Sequence, residues 1–124
     1  MPKINIKSLL YNVTEDKYFH NEVIGEFKDN NILFNDNEVA VEIIFNDFGL
    51  LLKRKSEEYD ILLPFDINRL TKGNYLINKL GNIELNVETK KLDIKDNVIE
   101  VEYRLVFDQN NIQEFNYKIE YEEV

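Results

Sequence analysis

Few residues in this sequence could do chemistry on their own. His20 is the single histidine, and there is no cysteine. A zinc site would have to be assembled from carboxylates, a poor donor set for zinc. A nucleophile–base pair would have to use His20, which falls on the more polar face of its segment and reads as a surface residue. The serines, Ser8 and Ser56, stand in no Gly-x-Ser-x-Gly elbow. Asp29-Asn30-Asn31 and Asn35-Asp36-Asn37 look superficially like calcium loops, but the glycine and the distal glutamate are missing at the required spacing, so Asx turns are expected. The four glycines are scattered and form no phosphate-binding loop. Carboxylates abound, and most fall on faces that alternation turns outward. The expectation is a protein without metal or cofactor, and not an enzyme.

Two features survive. Tyr103, Tyr117 and Tyr121, with Phe107 and Phe115, share the inward face of the last hairpin that the sequence predicts. Tyrosine combines a large apolar body with a polar tip. That suits a barrel lining that touches a ligand or ordered water, and equally a packed core whose hydroxyls reach the barrel end. Arg54 continues the face of Leu50 and Leu52. Pointing inward, it would require a carboxylate or a bound anion; if the strand stops before it, it is solvated. Arg54, Tyr103, Phe115, Tyr117 and Tyr121 are therefore the candidate ligand-binding residues.

The elements that must position them are strands. Ile99, Val101, Tyr103, Leu105 and Phe107 alternate with Glu100, Glu102, Arg104 and Val106, and after residues 108–111 the pattern resumes as Phe115, Tyr117, Ile119 and Tyr121. Such alternation makes two half-buried antiparallel strands. Both bury odd-numbered residues, so facing partners sum to an even number, which excludes a four-residue loop. A three-residue loop, Asp108-Gln109-Asn110 with Asn110 left-handed, sets Arg104 opposite Glu114 and Glu100 opposite Lys118 outside, with Tyr103 opposite Phe115 and Val101 opposite Tyr117 inside. A five-residue loop would oppose Glu100 to Glu120. Upstream, Ile83, Leu85, Val87 and Thr89 point inward at odd positions, whereas Leu92 and Ile94 are even. The change of parity predicts a β-bulge near Lys90-Lys91, and Asp96-Asn97 predicts a tight turn.

The rest of the chain repeats this style. Ile4, Ile6, Ser8 and Leu10 alternate, as do Phe19, Asn21, Val23, Gly25 and Phe27, and Val39, Val41, Ile43 and Phe45. Ile32-Leu33-Phe34 reads as a short strand. Residues 64–71 read as irregular, with room for one helical turn, and residues 72–80 as a weaker strand. About ten short segments at spacings near 8–12 residues mark an all-β sandwich or barrel. Closure is the better way to manage sheet edges, so the expected fold is an antiparallel up-and-down barrel of eight to ten strands, with a sandwich as runner-up. At 124 residues, the chain is expected to form a single domain, 1–124, that buries an ordinary core without metals or disulfides.

The charge of −9 argues against nucleic acid and against anionic membranes. Lys53-Arg54-Lys55 is the only basic cluster, and Glu57-Glu58 follow at once. No apolar run approaches the roughly 18–20 residues of a membrane span. The N-terminal residues form no signal core, and the absence of cysteine suits the cytosol, so a cytoplasmic location is expected.

Several stretches carry a family resemblance: Ile4-Asn5-Ile6-Lys7-Ser8, Leu51-Leu52-Lys53-Arg54, Gly81-Asn82-Ile83-Glu84-Leu85 with Thr89, Val101-Glu102-Tyr103 and Ile119-Glu120-Tyr121. On these the chain resembles the YwiB-like proteins of low-GC Gram-positive bacteria and relatives, a family without an assigned function. The resemblance implies a calycin-like, lipocalin-related barrel and, by analogy, a small apolar ligand. Two departures stand out. The connection between Phe45 and Leu50 is short for the family, and Ser56 stands near where a glycine would follow the arginine. The leading functional expectation is a barrel that binds a small apolar ligand. The alternative is a protein-interaction module with a packed interior and Ile32-Leu33-Phe34 as its exposed edge.

Overall fold

A computed structural model describes residues 2–124. Ten strands follow one another: β1 (Lys3–Asn12), β2 (Lys17–Lys28), β3 (Asn31–Asp36), β4 (Val39–Phe45), β5 (Leu50–Lys55), β6 (Tyr59–Phe65), β7 (Thr71–Ile77), β8 (Gly81–Lys95), β9 (Val98–Asp108) and β10 (Asn111–Glu123). Each pairs antiparallel with its sequence neighbours, and β1 pairs with β10 to close an up-and-down barrel. The expected fold class is thus found, and the sandwich is not.

Alternation fills the interior. Ile6, Ile32, Ile43, Ile99, Ile119, Val41, Val87 and Val101 are the most deeply buried side chains, and they come from six different strands. The predicted register of the last hairpin holds: Arg104 faces Glu114, Glu100 faces Lys118, Tyr103 faces Phe115 and Val101 faces Tyr117. Arg104 Nη2 donates to Glu114 Oε1 at 2.7 Å. The bulge also falls where the parity change requires it, since Lys90 has no partner between Thr89–Tyr103 and Lys91–Glu102. Asp96 and Asn97 form a two-residue turn with φ of 53° and 63°. This is the mirror-image turn whose twist matches the strands it joins.

Four expectations need correction. Asn110 is not left-handed. The Asp108 carboxylate accepts the Asn110 N–H at 2.8 Å, and Asp108 pairs with Asn111, so the odd residue is absorbed as a bulge at Phe107. Residues 64–71 hold no helical turn. Pro64 belongs to β6, just beyond the last β6–β7 pair, Leu62 with Asn74, where its missing N–H breaks no ladder bond. Asp36 is not part of a turn: β3 runs through it, and the turn is Asn37-Glu38 with φ of 48° and 71°. Finally, β3 is no free edge, since both β2 and β4 pair with it. The short Phe45–Leu50 connection does not open the barrel either, because Phe45 pairs directly with Leu50.

The unpaired edge lies elsewhere. Residues 17–25 of β2 pair with β1, whereas the β2–β3 ladder holds only Glu26, Phe27 and Lys28. The Phe27 N–H donates to the Pro2 carbonyl, so odd residues of β2 send their backbone groups toward the β1 side and even residues toward the other edge. The outer groups of Tyr18, His20, Glu22 and Ile24 therefore have no strand beside them. Gly25 marks the point of divergence: a side chain there would collide with the Leu33 carbonyl and with Ile6.

Candidate functional site

The inner face can be followed from strand to strand. Phe19, Leu10, Tyr117 and Val101 are successive partners across β2, β1, β10 and β9. One step nearer the β1–β2 turn, Lys17, Asn12, Phe115 and Tyr103 form the next row. Ile4 and Ile6 on β1 share this face and are buried. Cover is lost along the row toward β2: Tyr117 is 5 % exposed, whereas Phe19, on the same inner face, is 54 % exposed. On β2 the inner row at this barrel end thus ends in an exposed aromatic, Phe19, beside half-buried Leu10.

Arg54 arrives at the same end from β5. Leu50 and Leu52 are buried, and Arg54 continues their face inward, as one of the two sequence readings required. Its partner is Asp36, which continues the buried face of Ile32 and Phe34. Arg54 Nη2 donates to Asp36 Oδ2 at 3.3 Å, with the two side chains 19 % and 20 % exposed. That is long for a charge-assisted hydrogen bond, ordinarily about 2.7–2.9 Å. Burial disfavours the Arg54 charge; its pKa is nonetheless raised, by Tyr117 and Tyr59 once those phenols ionise at high pH and by the Asp36 carboxylate.

The Tyr117 hydroxyl is buried and has no hydrogen-bond partner. Burial pushes its pKa up to about 12; the nearby Arg54 charge opposes the rise and Asp36 adds to it. A buried hydroxyl without a partner costs roughly 1–3 kcal/mol, and among the described residues the Tyr117 hydroxyl is the fully inaccessible side-chain polar atom that lacks one. Tyr103 neighbours this group. Its pKa is raised by burial and by Tyr117 and drawn down by Arg54. Its ring packs against Phe65 at 4.7 Å and stacks on Phe115 at 5.2 Å, so it is a core residue rather than a lining one.

Four of the five candidate residues, Arg54, Tyr103, Phe115 and Tyr117, therefore gather in one region. Tyr121 does not join them. It lies at the opposite end against Phe27, centroids 6.5 Å apart, beside a depression of about 410 Å³ that Phe45 and Asp47 also line. Asp36 was hidden in the sequence by Asn35-Asp36-Asn37, which imitates a turn. The signal that could have found it was parity, since Ile32, Phe34 and Asp36 keep the same spacing. His20 lies exposed on the outer face. Among the described residues, no group of three or more His, Cys, Asp or Glu could hold a metal. The cluster offers hydrogen-bond donors, a guanidinium and a phenol, beside an apolar shelf.

No protein-family model matches this chain, and no curated protein does. Among solved structures, it is similar to the crystal structure of the ywiB protein from Bacillus subtilis, with a TM-score of 0.71 at 17 % identity; the likeness covers 98 % of this chain and 90 % of that one. At that identity the likeness concerns the fold alone, and it agrees with the YwiB-like fold, though not with any calycin relation, that the sequence resemblance implied.

Proposed function

We propose that this barrel is a non-enzymatic, cytoplasmic binding protein for a small, largely apolar ligand, held at the Phe19 end in the manner of calycin barrels. The observation that carries the reading is the inner row itself. Phe19 faces the barrel interior beside Leu10 and Tyr117, yet remains more than half exposed. An exposed aromatic on an inward face is what a ligand's apolar body would cover. Most of the interior is filled by side chains, so the ligand rests at the barrel end rather than along its axis.

The outer face supports a protein surrounded by water. Glu22, Glu42, Lys53, Glu84, Glu102 and Lys118 point outward and the apolar residues inward, the reverse of a barrel set in lipid. Among the described residues no helix is long and apolar enough to cross a membrane. The charge of −9 disfavours nucleic acid as a partner.

The test is mass spectrometry of the purified protein, native against denatured, followed by titration with a neutral apolar dye. The expected result is a co-purifying small molecule or saturable one-to-one dye binding, weakened by Phe19→Glu. A clean apo mass together with no saturable dye binding overturns the reading.

One observation favours a second reading, an interaction module. The unpaired edge at Tyr18, His20, Glu22 and Ile24 can accept an extended strand. Its charge order suits a second copy of this chain. In an antiparallel pair centred on Asn21, His20 of each copy meets Glu22 of the other. Sedimentation that stays monomeric at high concentration removes this reading; a dimer abolished by His20→Pro supports it.

A further inference from the structure

We infer that the ligand carries an anionic head, a carboxylate, held by the Arg54 guanidinium and the Tyr117 hydroxyl, with its apolar chain on the Phe19–Leu10 shelf. This inference rests on the binding reading above and names the chemistry of its ligand.

Three observations converge. First, Arg54 is under-used. A guanidinium has five N–H donors in a planar fork, and among the described residues its side chain makes one hydrogen bond, the 3.3 Å contact to Asp36. The more exposed pairs Arg69–Asp66 and Arg104–Glu114 both close to 2.7 Å. Arg54 is the least exposed of the three arginines, yet its ion pair is the loosest. Second, the Tyr117 hydroxyl is buried and makes no hydrogen bond within 3.5 Å, although the Arg54 guanidinium lies close enough to act on its titration. A carboxylate satisfies both, because its two oxygens accept from N–H and O–H donors at once. Third, the Phe19, Leu10, Tyr117 row leads from this polar spot to the exposed aromatic at the rim. A molecule with an acidic head and an alkyl or aryl body follows that row from end to end.

Asp36 sets the terms of binding. It sits on one side of Arg54 and keeps the guanidinium turned inward when no ligand is bound. It also repels an incoming carboxylate. The head therefore competes with Asp36 for Arg54, and weakening Asp36 strengthens binding. A purely structural Arg54–Asp36 pair predicts the opposite, since the loss of Asp36 would disorganise the site. The overall charge of −9 slows the approach of an anion, but screening confines that field to about 8 Å at physiological salt.

The experiment is a calorimetric titration of the intact protein with three probes of equal chain length: decanoate, decanol and decylamine. Decanoate is expected to bind at least about tenfold more tightly than decanol, with decylamine the weakest, because a charge-assisted hydrogen bond to a buried group is lost in the alcohol. Arg54→Gln should abolish the preference for the acid, and Tyr117→Phe should reduce it about three- to tenfold while preserving the circular dichroism spectrum. Asp36→Asn should raise decanoate affinity severalfold. If Arg54→Gln fails to fold, Tyr117→Phe and Asp36→Asn decide alone. Equal binding of acid and alcohol overturns this inference and leaves the apolar-ligand reading standing. No binding of any probe or of the neutral dye overturns both.

Discussion

The two ends of the barrel each hold an aspartate–arginine pair, and the pairs are built differently. At one end Asp66, 7 % exposed, receives the Arg69 guanidinium at 2.7 Å and the Asn68 N–H at 2.9 Å, all within one loop. Arg69 in turn lies over the Phe48 ring, 5.0 Å from its centroid. Every part of that arrangement has a local partner, and its product is a closed loop. At the other end Arg54 and Asp36 come from strands 18 residues apart, meet at 3.3 Å and leave the Tyr117 hydroxyl unpaired beside them. The lesson concerns satisfaction rather than charge. A pair whose donors and acceptors are used up is structural, and a pair that leaves donors unused next to an open apolar shelf is where a ligand gains by binding.

The core between the ends sets the scale for breaking this comparison. Ile119→Ala should cost about 2–5 kcal/mol in urea denaturation, with binding weakened only through stability. Its neighbour Glu120→Ala should stay within about 0.5 kcal/mol. Equal costs would contradict the alternation on which both ends are placed.

Alkaline unfolding separates the ends next. Tyr117 titrates near 12 in the folded barrel against an ordinary value near 10. Between those values the unfolded chain has released its proton and the folded one has not. Stability is therefore fully present below pH ~10 and falls as the pH rises toward about 12, by on the order of 2–3 kcal/mol for this group. Tyr117→Phe should remove that share of the alkaline loss. Tyr121, at the other end, is also pushed up by burial but is only half-buried, so Tyr121→Phe should remove less. Urea midpoints measured at about pH 9 and about pH 11.5 check both.

The aspartates divide in the same way. Asp66→Ala should cost about 0.5–1.5 kcal/mol by removing the acceptor that ties Arg69 and the Asn68 N–H into the loop, and it should leave ligand affinity unchanged. Asp36→Asn should cost on the order of 1–3 kcal/mol, because it leaves the part-buried Arg54 charge without its carboxylate, and should change affinity. A reversal of those two patterns would locate the site at the wrong end. A small effect is expected of Tyr117→Phe at neutral pH. Removing a buried hydroxyl that has no partner should leave thermal stability unchanged or raise it by about 1 kcal/mol; a large loss would show that the hydroxyl is held by something essential to the fold.

How far the sequence spoke for itself follows from range. The register of β9 and β10, the bulge at Lys90 and the turn at Asp96-Asn97 were legible because alternation and cross-strand charge fix them within a few residues. The inward Tyr117 was legible for the same reason, whereas Arg54 stayed open between an inward and a solvated reading until the extent of β5 was known. Asp36 was not, because Asn35-Asp36-Asn37 has the composition of a turn, while the real turn forces Glu38 to a φ of 71° that glutamate seldom adopts. The meeting of Arg54 with Asp36 was illegible in principle, since it depends on how β3, β4 and β5 stack in the closed sheet. The separation of β2 from β3 before Gly25, which bares Phe19 and the Tyr18 edge, is likewise a property of barrel closure and leaves no mark in the local pattern.

The most direct test of the central claim is a titration with decanoate followed by nuclear magnetic resonance, reading the guanidinium N–H signals of Arg54 and Arg69 together. The account predicts saturable shifts at Arg54, and at the backbone amides of Leu10, Phe19 and Tyr117, with Arg69 silent. Shifts at Arg69 and Tyr121 with Arg54 unmoved, or no saturable shift at either end, would contradict it.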